Sequence, residues 1–328
     1  MMVVIVMAGK REIAFALLDV LITYTDEDHI LTAKRLLDLL EQKHDIKIER
    51  RTLYANMDVI EEYGYSISRP DDNGKGYFLE EHQFDKGEFL LLCNAIHASH
   101  FISEKQSNIL IQKLLKTQSK YNADEFVDRV YLPNEQKTPN VELMYNISLI
   151  SDAIKEGKVI QFVYTRYNSD KQLVPRREKL YKTEPRHIVY SDGKPYMIST
   201  SIFYKDIVVY RIDRMMQAVM LDEAVSPFDS SADAYEFVKN KLFMYHDEDE
   251  LVTFKCDEAV IDQMIDIFGT DVTLFPMGDG YYRITLFTSK TGARYLAESF
   301  IEHLEIMAPE SLRQEMAGIL QKATEKYK

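Results

Sequence analysis

Apolar residues at helical spacing open the chain. Ile13, Leu17, Val20 and Leu21, then Ala33, Leu36, Leu37 and Leu40, predict two helices across residues 10–43, joined by the polar stretch 25–29. Thr32 is placed to cap the second. After a break at 44–47, a third helix is predicted over 49–63, where Leu53, Met57 and Ile60 share one face and Gly64 stops the helix. Strand-like runs at 65–69 and 77–79 flank residues 70–76, where Asn73-Gly74 supplies the positive φ of a hairpin turn. Helix, helix, turn, helix, hairpin is the order of a winged helix-turn-helix.

Helical spacing returns over 84–132, is interrupted at 133–139, and resumes over 141–156 up to Gly157. The period then switches to two. Val159, Gln161 and Val163 alternate with Ile160, Phe162 and Tyr164, and similar runs follow at 188–190, 196–199 and 207–212, which predicts a small barrel or sandwich. Residues 227–233 and the acidic run 246–250 mark a boundary. Beyond it, strands at 251–256, 272–275, 281–288 and 304–307 alternate with helices at 259–268 and 290–302, and a last helix covers 309–326. This βαββαβ order is that of a ferredoxin-like domain. The expected fold class is α+β multidomain: a DNA-binding domain over 1–82, a helical linker over 83–157, a small β-barrel over 158–225, a linker over 226–250 and a ferredoxin-like α/β domain over 251–328.

The chain of 328 residues is 46% hydrophobic and 28% charged, within the range of ordinary globular proteins. Its two cysteines, Cys93 and Cys256, have neither disulfide-framework nor zinc-site spacing and read as buried small hydrophobes, which fits a cytoplasmic protein. Residues 1–8 are apolar, lack a preceding basic region and are too short to span a bilayer, so they read as a lead-in to the first helix, and no membrane partner is expected. The net charge of −13 argues at first against nucleic acid, but it is unevenly spread. Residues 158–217 carry twelve Lys or Arg against six Asp or Glu, whereas 225–328 carry ten against nineteen, and 10–80 carry ten against fifteen. A basic module therefore sits between acidic ones.

The third helix opposes its apolar face with Arg50, Arg51, Thr52, Tyr54 and Asn56. Arginine pairs with guanine edges or phosphates and asparagine with adenine, which suits major-groove readout; a solvated helix face is the bland alternative. Arg69 and Lys75, at the hairpin, are candidate phosphate contacts and equally ordinary surface charges. No GxSxG, HExxH or P-loop occurs, so an enzyme, a cofactor and a metal site are not expected. His97 and His100, three apart, read as structural, and the run 247–250 as a solvated linker.

Residues 48–64, Ile-Glu-Arg-Arg-Thr-Leu-Tyr-Ala-Asn-Met-Asp-Val-Ile-Glu-Glu-Tyr-Gly, with Gly76-Tyr77-Phe78-Leu79 downstream, resemble the S-x-R-T-I-Y-R-D-L-x-x-L-E-x-x-G recognition helix and wing of bacterial WYL-domain regulators. The likeness continues through Ile160-Gln161-Phe162-Val163-Tyr164, Glu184-Pro185, Pro195-Tyr196-Met197 and Tyr210-Arg211-Ile212-Asp213-Arg214 into a tail similar to the WCX-type extension. There are departures. The signature tripeptide lacks tryptophan, Ala55 stands where the family has arginine, and Asn56 where it has aspartate.

The resemblance implies that the barrel is Sm-like (SH3-type) and binds an anionic nucleotide or nucleic acid. Tyr196, Arg211 and Arg214 match the family motif as ligand contacts, with Tyr164 and Arg177 as further candidates. The residues point the same way, since the basic module places Arg166, Arg176, Arg177, Arg186, Arg211 and Arg214 among Tyr164, Tyr181, Tyr190, Tyr196 and Tyr210, and guanidinium forks suit phosphate oxygens while tyrosine faces can stack on bases. Arg166, Arg176 and Arg186 are expected to point to solvent, and Asp213 to orient an arginine. The function expected is a regulator that binds a double-stranded DNA operator as a homodimer and senses an anionic nucleotide or oligonucleotide effector. The alternative is an accessory protein of a phage-defence or CRISPR system that binds single-stranded RNA or DNA through the WYL domain.

Overall fold

A computed structural model describes residues 10–129, 137–191, 193–204, 206–227 and 249–328, and the chain divides into two compact units between Val141 and Glu142. The apolar lead-in at 1–8, most of the interruption at 133–139, most of the boundary at 227–233, and Asp247 and Glu248 of the acidic run lie outside the described residues.

In the first unit, α1 (Lys10–Tyr24), α2 (Ala33–His44) and α3 (Arg50–Glu62) converge on one core. Leu17, Val20 and Leu21 of α1, Leu36 and Leu40 of α2, and Leu53 and Met57 of α3 are wholly buried. Each such side chain stabilises the fold by about 1.5–3 kcal/mol relative to exposure. Thr32 caps α2, its hydroxyl accepting from the Arg35 N–H. β1 (Ile67–Ser68) pairs antiparallel with β2 (Phe78–Leu79), and the turn between them is one helical turn, α4 (Pro70–Asn73), closed by Gly74 at φ +70°. The Asn73 side-chain oxygen accepts from the N–H groups of Lys75 and Gly76. A Cβ on Gly76 would lie 2.4 Å from the Leu31 carbonyl oxygen, because Leu31 and Tyr77 exchange backbone hydrogen bonds there. The hairpin is thus fastened to the segment entering α2.

The expected helical stretch 84–132 resolves into α5 (Lys86–Ala98), α6 (Glu104–Leu115) and α7 (Lys120–Arg129) around Phe89, Cys93, Ile111 and Phe126. Asp26, 6% exposed, ties them to the first three helices. Its carboxylate accepts from the Ser119 hydroxyl at 2.5 Å and pairs with the His29 ring at 2.7 Å, and that ring stacks on Tyr121 with centroids 3.5 Å apart. Burial works against ionisation of Asp26, but these hydrogen bonds outweigh it and hold its pKa below the ordinary value.

The second unit opens with α8 (Leu143–Glu156), which packs on the strands that follow; its Asn146 amide donates to the Met215 carbonyl at 2.9 Å. Those strands are β3 (Lys158–Tyr167), β4 (Leu173–Pro175), β5 (Tyr181–Ser191), β6 (Lys194–Ser201), β7 (Ile207–Arg211) and β8 (Met215–Ala224), ordered β4-β3-β5-β6-β7 with β8 also on β3, all antiparallel. Neither β4 nor β8 is among the runs expected from periodicity. The chain ends with β9 (Asp249–Asp257), α9 (Ile261–Phe268), β10 (Phe275–Gly278), β11 (Tyr281–Ser289), α10 (Lys290–Ser299), β12 (Leu304–Ala308) and α11 (Glu310–Lys326). Its sheet order is β10-β11-β9-β12, and the core lies between one sheet face and the helices, with Phe254, Ile284 and Ile306 against Met264, Leu296 and Leu312. β10 begins at Phe275, the last residue of the strand expected at 272–275. Cys93 and Cys256 are both buried, and burial pushes the Cys93 thiol up to about 11. Among the described residues, no helix is long and apolar enough to cross a membrane.

Candidate nucleic-acid and ligand sites

α3 presents Arg50, Arg51, Ala55, Asp58, Val59 and Glu62 outward. Its N-cap, Glu49, makes no side-chain cap, so the positive end of the helix lies beside the two arginines. The other three helix residues expected on this face are placed differently. Asn56 is 5% exposed and its amide donates to the Thr52 carbonyl at 2.7 Å, one turn back on its own helix. Tyr54 is half-buried against the core, its ring centroid 6.0 Å from that of Tyr77. Thr52 is half-buried beside Asn56.

The hairpin residues divide as well. Lys75 is exposed. Arg69 is held by Asp58 and Glu61, both at 2.6 Å, and these carboxylates raise its pKa, so its charge is already paired within the fold. Alongside α3, a groove of about 1160 Å³ is lined by Phe15 and Leu18 of α1 and by Arg51, Ala55, Val59 and Tyr63. Phe15 and Tyr63 are 74% and 83% exposed, a feature the helical pattern gave no sign of.

In the basic module, strand register sorts the candidates into two groups. Tyr196 and Arg211 face each other across β6 and β7, so their side chains share one side of the sheet, and Tyr210 takes the other. Tyr210 joins Phe162, Tyr164 and Tyr181 in a box of rings with centroids 5.2–6.2 Å apart. The Arg177 guanidinium lies over the Tyr181 ring at 3.6 Å and donates to the carbonyls of Lys179 and Leu180. Burial raises the pKa of Tyr164 and Tyr210.

The second group centres on Asp213, 2% exposed. It accepts a two-pronged contact from Arg211 at 3.0 and 2.7 Å and stands 3.8 Å from the Arg214 Nε. Burial opposes the charge of Arg211, but Asp213 more than offsets this and its pKa is raised. Arg214 lies over the Tyr167 ring at 4.1 Å, and its Nη1 is buried with no hydrogen-bond partner among the described residues. Tyr196 itself is only 9% exposed. The two groups meet where the Tyr164 hydroxyl accepts the Arg211 N–H at 3.1 Å.

Of the three arginines expected to face solvent, Arg166 and Arg176 are exposed. Arg186 is not: it donates to Glu184 at 2.6 Å, to the Thr200 hydroxyl and to the Ser226 carbonyl, all within the fold. Tyr181 and Tyr210 are among the tyrosines read from sequence as possible stacking faces, and Phe162 and Tyr210 lie in the quoted motifs, but nothing in the sequence groups the three with Tyr164. The signals available were the Phe162/Tyr164 alternation on one strand and the position of Tyr210 beside Arg211.

Residues 145–220 match the WYL domain family, so the chain carries a WYL domain there. The match takes in most of α8 as well as the strands. Among solved structures, the chain is similar to proteasome accessory factor B/C (PafBC) of Arthrobacter aurescens at 16% identity and a TM-score of 0.27, covering 98% of this chain and 49% of that one. The chain thus spans about half the length of PafBC. It is also similar to a CRISPR Cas-related protein at 14% identity and a TM-score of 0.39, covering 76% of this chain and 75% of that one. These likenesses are too loose to carry an argument about function. No curated protein matches the chain.

Proposed function

We propose that the chain is a cytoplasmic, non-catalytic transcriptional regulator whose WYL domain binds an anionic nucleotide or oligonucleotide. In this reading residues 10–80 are a winged helix-turn-helix, the strands of 158–224 an Sm-like barrel, and 251–328 a ferredoxin-like WCX-type extension. A homodimer reads two half-sites of a double-stranded operator, and effector binding biases the spacing of its two DNA-binding halves. For that bias the effector must bind the two arrangements unequally.

One observation carries the effector reading. A single carboxylate, Asp213, stands between two arginines, and Arg214 retains a buried N–H face with no acceptor among the described residues, beside an exposed Tyr167 ring. A phosphate oxygen supplies the missing acceptor, and the ring gives a base a surface to stack on. Arg177, exposed over Tyr181, adds a second cation at the aromatic box.

The test is a titration of labelled nucleotides and short oligonucleotides against the full chain. Arg214→Ala is expected to weaken binding by about ten-fold or more, the scale of one charge-assisted hydrogen bond. It should leave duplex affinity unchanged. Unchanged effector binding in that variant would remove the barrel from the account.

A second reading keeps the barrel and drops the operator. Asp58 and Glu62 share the outward face of α3 with the arginines, and that repels phosphate. An accessory protein of a defence system, binding single-stranded RNA or DNA through the barrel, needs no duplex affinity. Absence of any sequence preference among duplexes, measured at several salt concentrations, would favour it.

A further inference from the structure

The C-terminal sheet buries one face and leaves the other open. Along β9, Val252, Phe254 and Cys256 point to the helices, and Leu251, Thr253 and Lys255 alternate away from them. Along β11, Ile284 points inward, whereas Tyr281, Arg283, Thr285 and Phe287 point out. The register sets Phe287 opposite Leu251, Thr285 opposite Thr253 and Arg283 opposite Lys255, with Phe275 of β10 beside Arg283. Leu251 (60%), Phe287 (53%), Phe275 (47%) and Tyr281 (37%) are all exposed there. Four large apolar side chains exposed on one sheet face make it a candidate binding surface.

The charges decide what. Like charges directly opposite each other across a strand pair are destabilising, yet Arg283 faces Lys255. Among the described residues, neither is paired with a carboxylate. Lys255 lies over the Tyr281 ring at 3.9 Å and Arg283 over the Phe275 ring at 5.0 Å. Glu305, the neighbour of Lys255 on β12, accepts from Arg313 at 2.6 Å instead. Asp257, opposite Tyr281, is engaged by the Ala259 N–H and by His303. The tail as a whole is acidic, so this is a local concentration of cations among flat rings. Lysine is depleted from the centre of protein–protein interfaces, and Lys255 at the middle of this face tells against a second protein surface as the occupant.

We infer that this open face is a stacking platform for a single strand of RNA or DNA, separate from the barrel. Bases stack on Tyr281, Phe275 and Phe287, and the phosphates between them meet Lys255 and Arg283. An antiparallel sheet face that presents rings on β11 and on its neighbour β10, with cations beside them, is suited to unpaired bases, because every base has a face to stack and its phosphate needs a cation.

The experiment measures anisotropy of fluorescein-labelled oligodeoxythymidine and oligouridine, each about 12 nucleotides, with the full chain over a salt series. The double variant Tyr281→Ala/Phe287→Ala is expected to weaken binding at least about five-fold for each base that loses its ring. Phe287→Trp, which keeps a ring, should retain affinity. Lys255→Ala/Arg283→Ala should lower the slope of log affinity against log salt by about 1.4. Arg214→Glu, run in parallel, reports on the barrel alone. If the wild-type chain binds neither oligonucleotide, or if both sheet variants match wild type in affinity and salt slope, the inference fails whatever Arg214→Glu does. Light scattering adds a further arm: loss of self-association in the sheet variants with oligonucleotide binding unchanged would assign the face to a second copy of the chain and overturn the proposal. All five side chains involved lie on the open face, and thermal melts verify that the variants stay folded.

Discussion

Asp213 holds Arg211 by two hydrogen bonds while lying within 4 Å of Arg214, so one negative charge offsets two positive ones. Asp213→Asn therefore has opposite effects on stability and on binding. Losing a buried, charge-assisted contact is expected to cost about 2 kcal/mol, lowering the melting temperature of the second unit by roughly 4–8 °C. Anion affinity should rise, because the arginines lose their internal counter-charge. A calorimetric melt and an oligonucleotide titration on the same sample check both signs. Asn56 makes the contrasting case. Its amide satisfies a carbonyl on its own helix in a buried setting, so Asn56→Ala should lower the melting temperature and leave the ranking of operator sequences unchanged. Arg51→Ala should do the reverse, and competition between duplexes of different sequence separates the two.

At the scale of the element, α3 and its hairpin leave three exposed cations, Arg50, Arg51 and Lys75, which the proposed operator reading requires as its phosphate and base contacts. Lys75→Ala is expected to reduce the salt slope of duplex binding by about 1, and Arg69→Ala to leave it alone, since Arg69 is already neutralised. The helices of the first unit were legible in sequence because their apolar positions recur at a fixed period and polar residues break them. Asn56 departs from the expectation that its polarity suggests, because its helical position places it inward. It stands three after Leu53 and four before Ile60, so spacing alone assigns it to the buried stripe. β8 escaped for a different reason: its pairing with β3 shifts register twice, and Gln217 takes φ +54°. Each bulge inverts the inside–outside alternation on which a strand is recognised. The aromatic box was illegible as a group, since its rings come from three strands. Periodicity within a strand says which face a residue takes, and nothing about which strands become neighbours.

For the whole molecule, the division falls after the sixth and seventh helices and before α8. Helix α8, read in sequence as the end of a linker, packs with the WYL strands, and the Asn146 contact to Met215 fixes it there. The helices α5 to α7 are bound in turn to the first three helices through Asp26. Because the folded-state pKa of Asp26 is depressed, its contribution is fully present above the unfolded value of 3.8 and is lost as pH falls through the lower folded value. The melting temperature of the first unit should decline as pH drops below about 4, and Asp26→Asn should flatten that decline. The same carboxylate bears on independence of folding. A fragment ending at residue 82 would keep Asp26 and His29 but lack Ser119 and Tyr121, leaving a half-satisfied anion at its surface and His29 without its stacking partner. Such a fragment should melt below one ending at 141, as circular dichroism of the two would reveal. Residues 10–82 are then not a self-sufficient module, because the partners that complete Asp26 and His29, Ser119 and Tyr121, lie at the start of α7 and just before it.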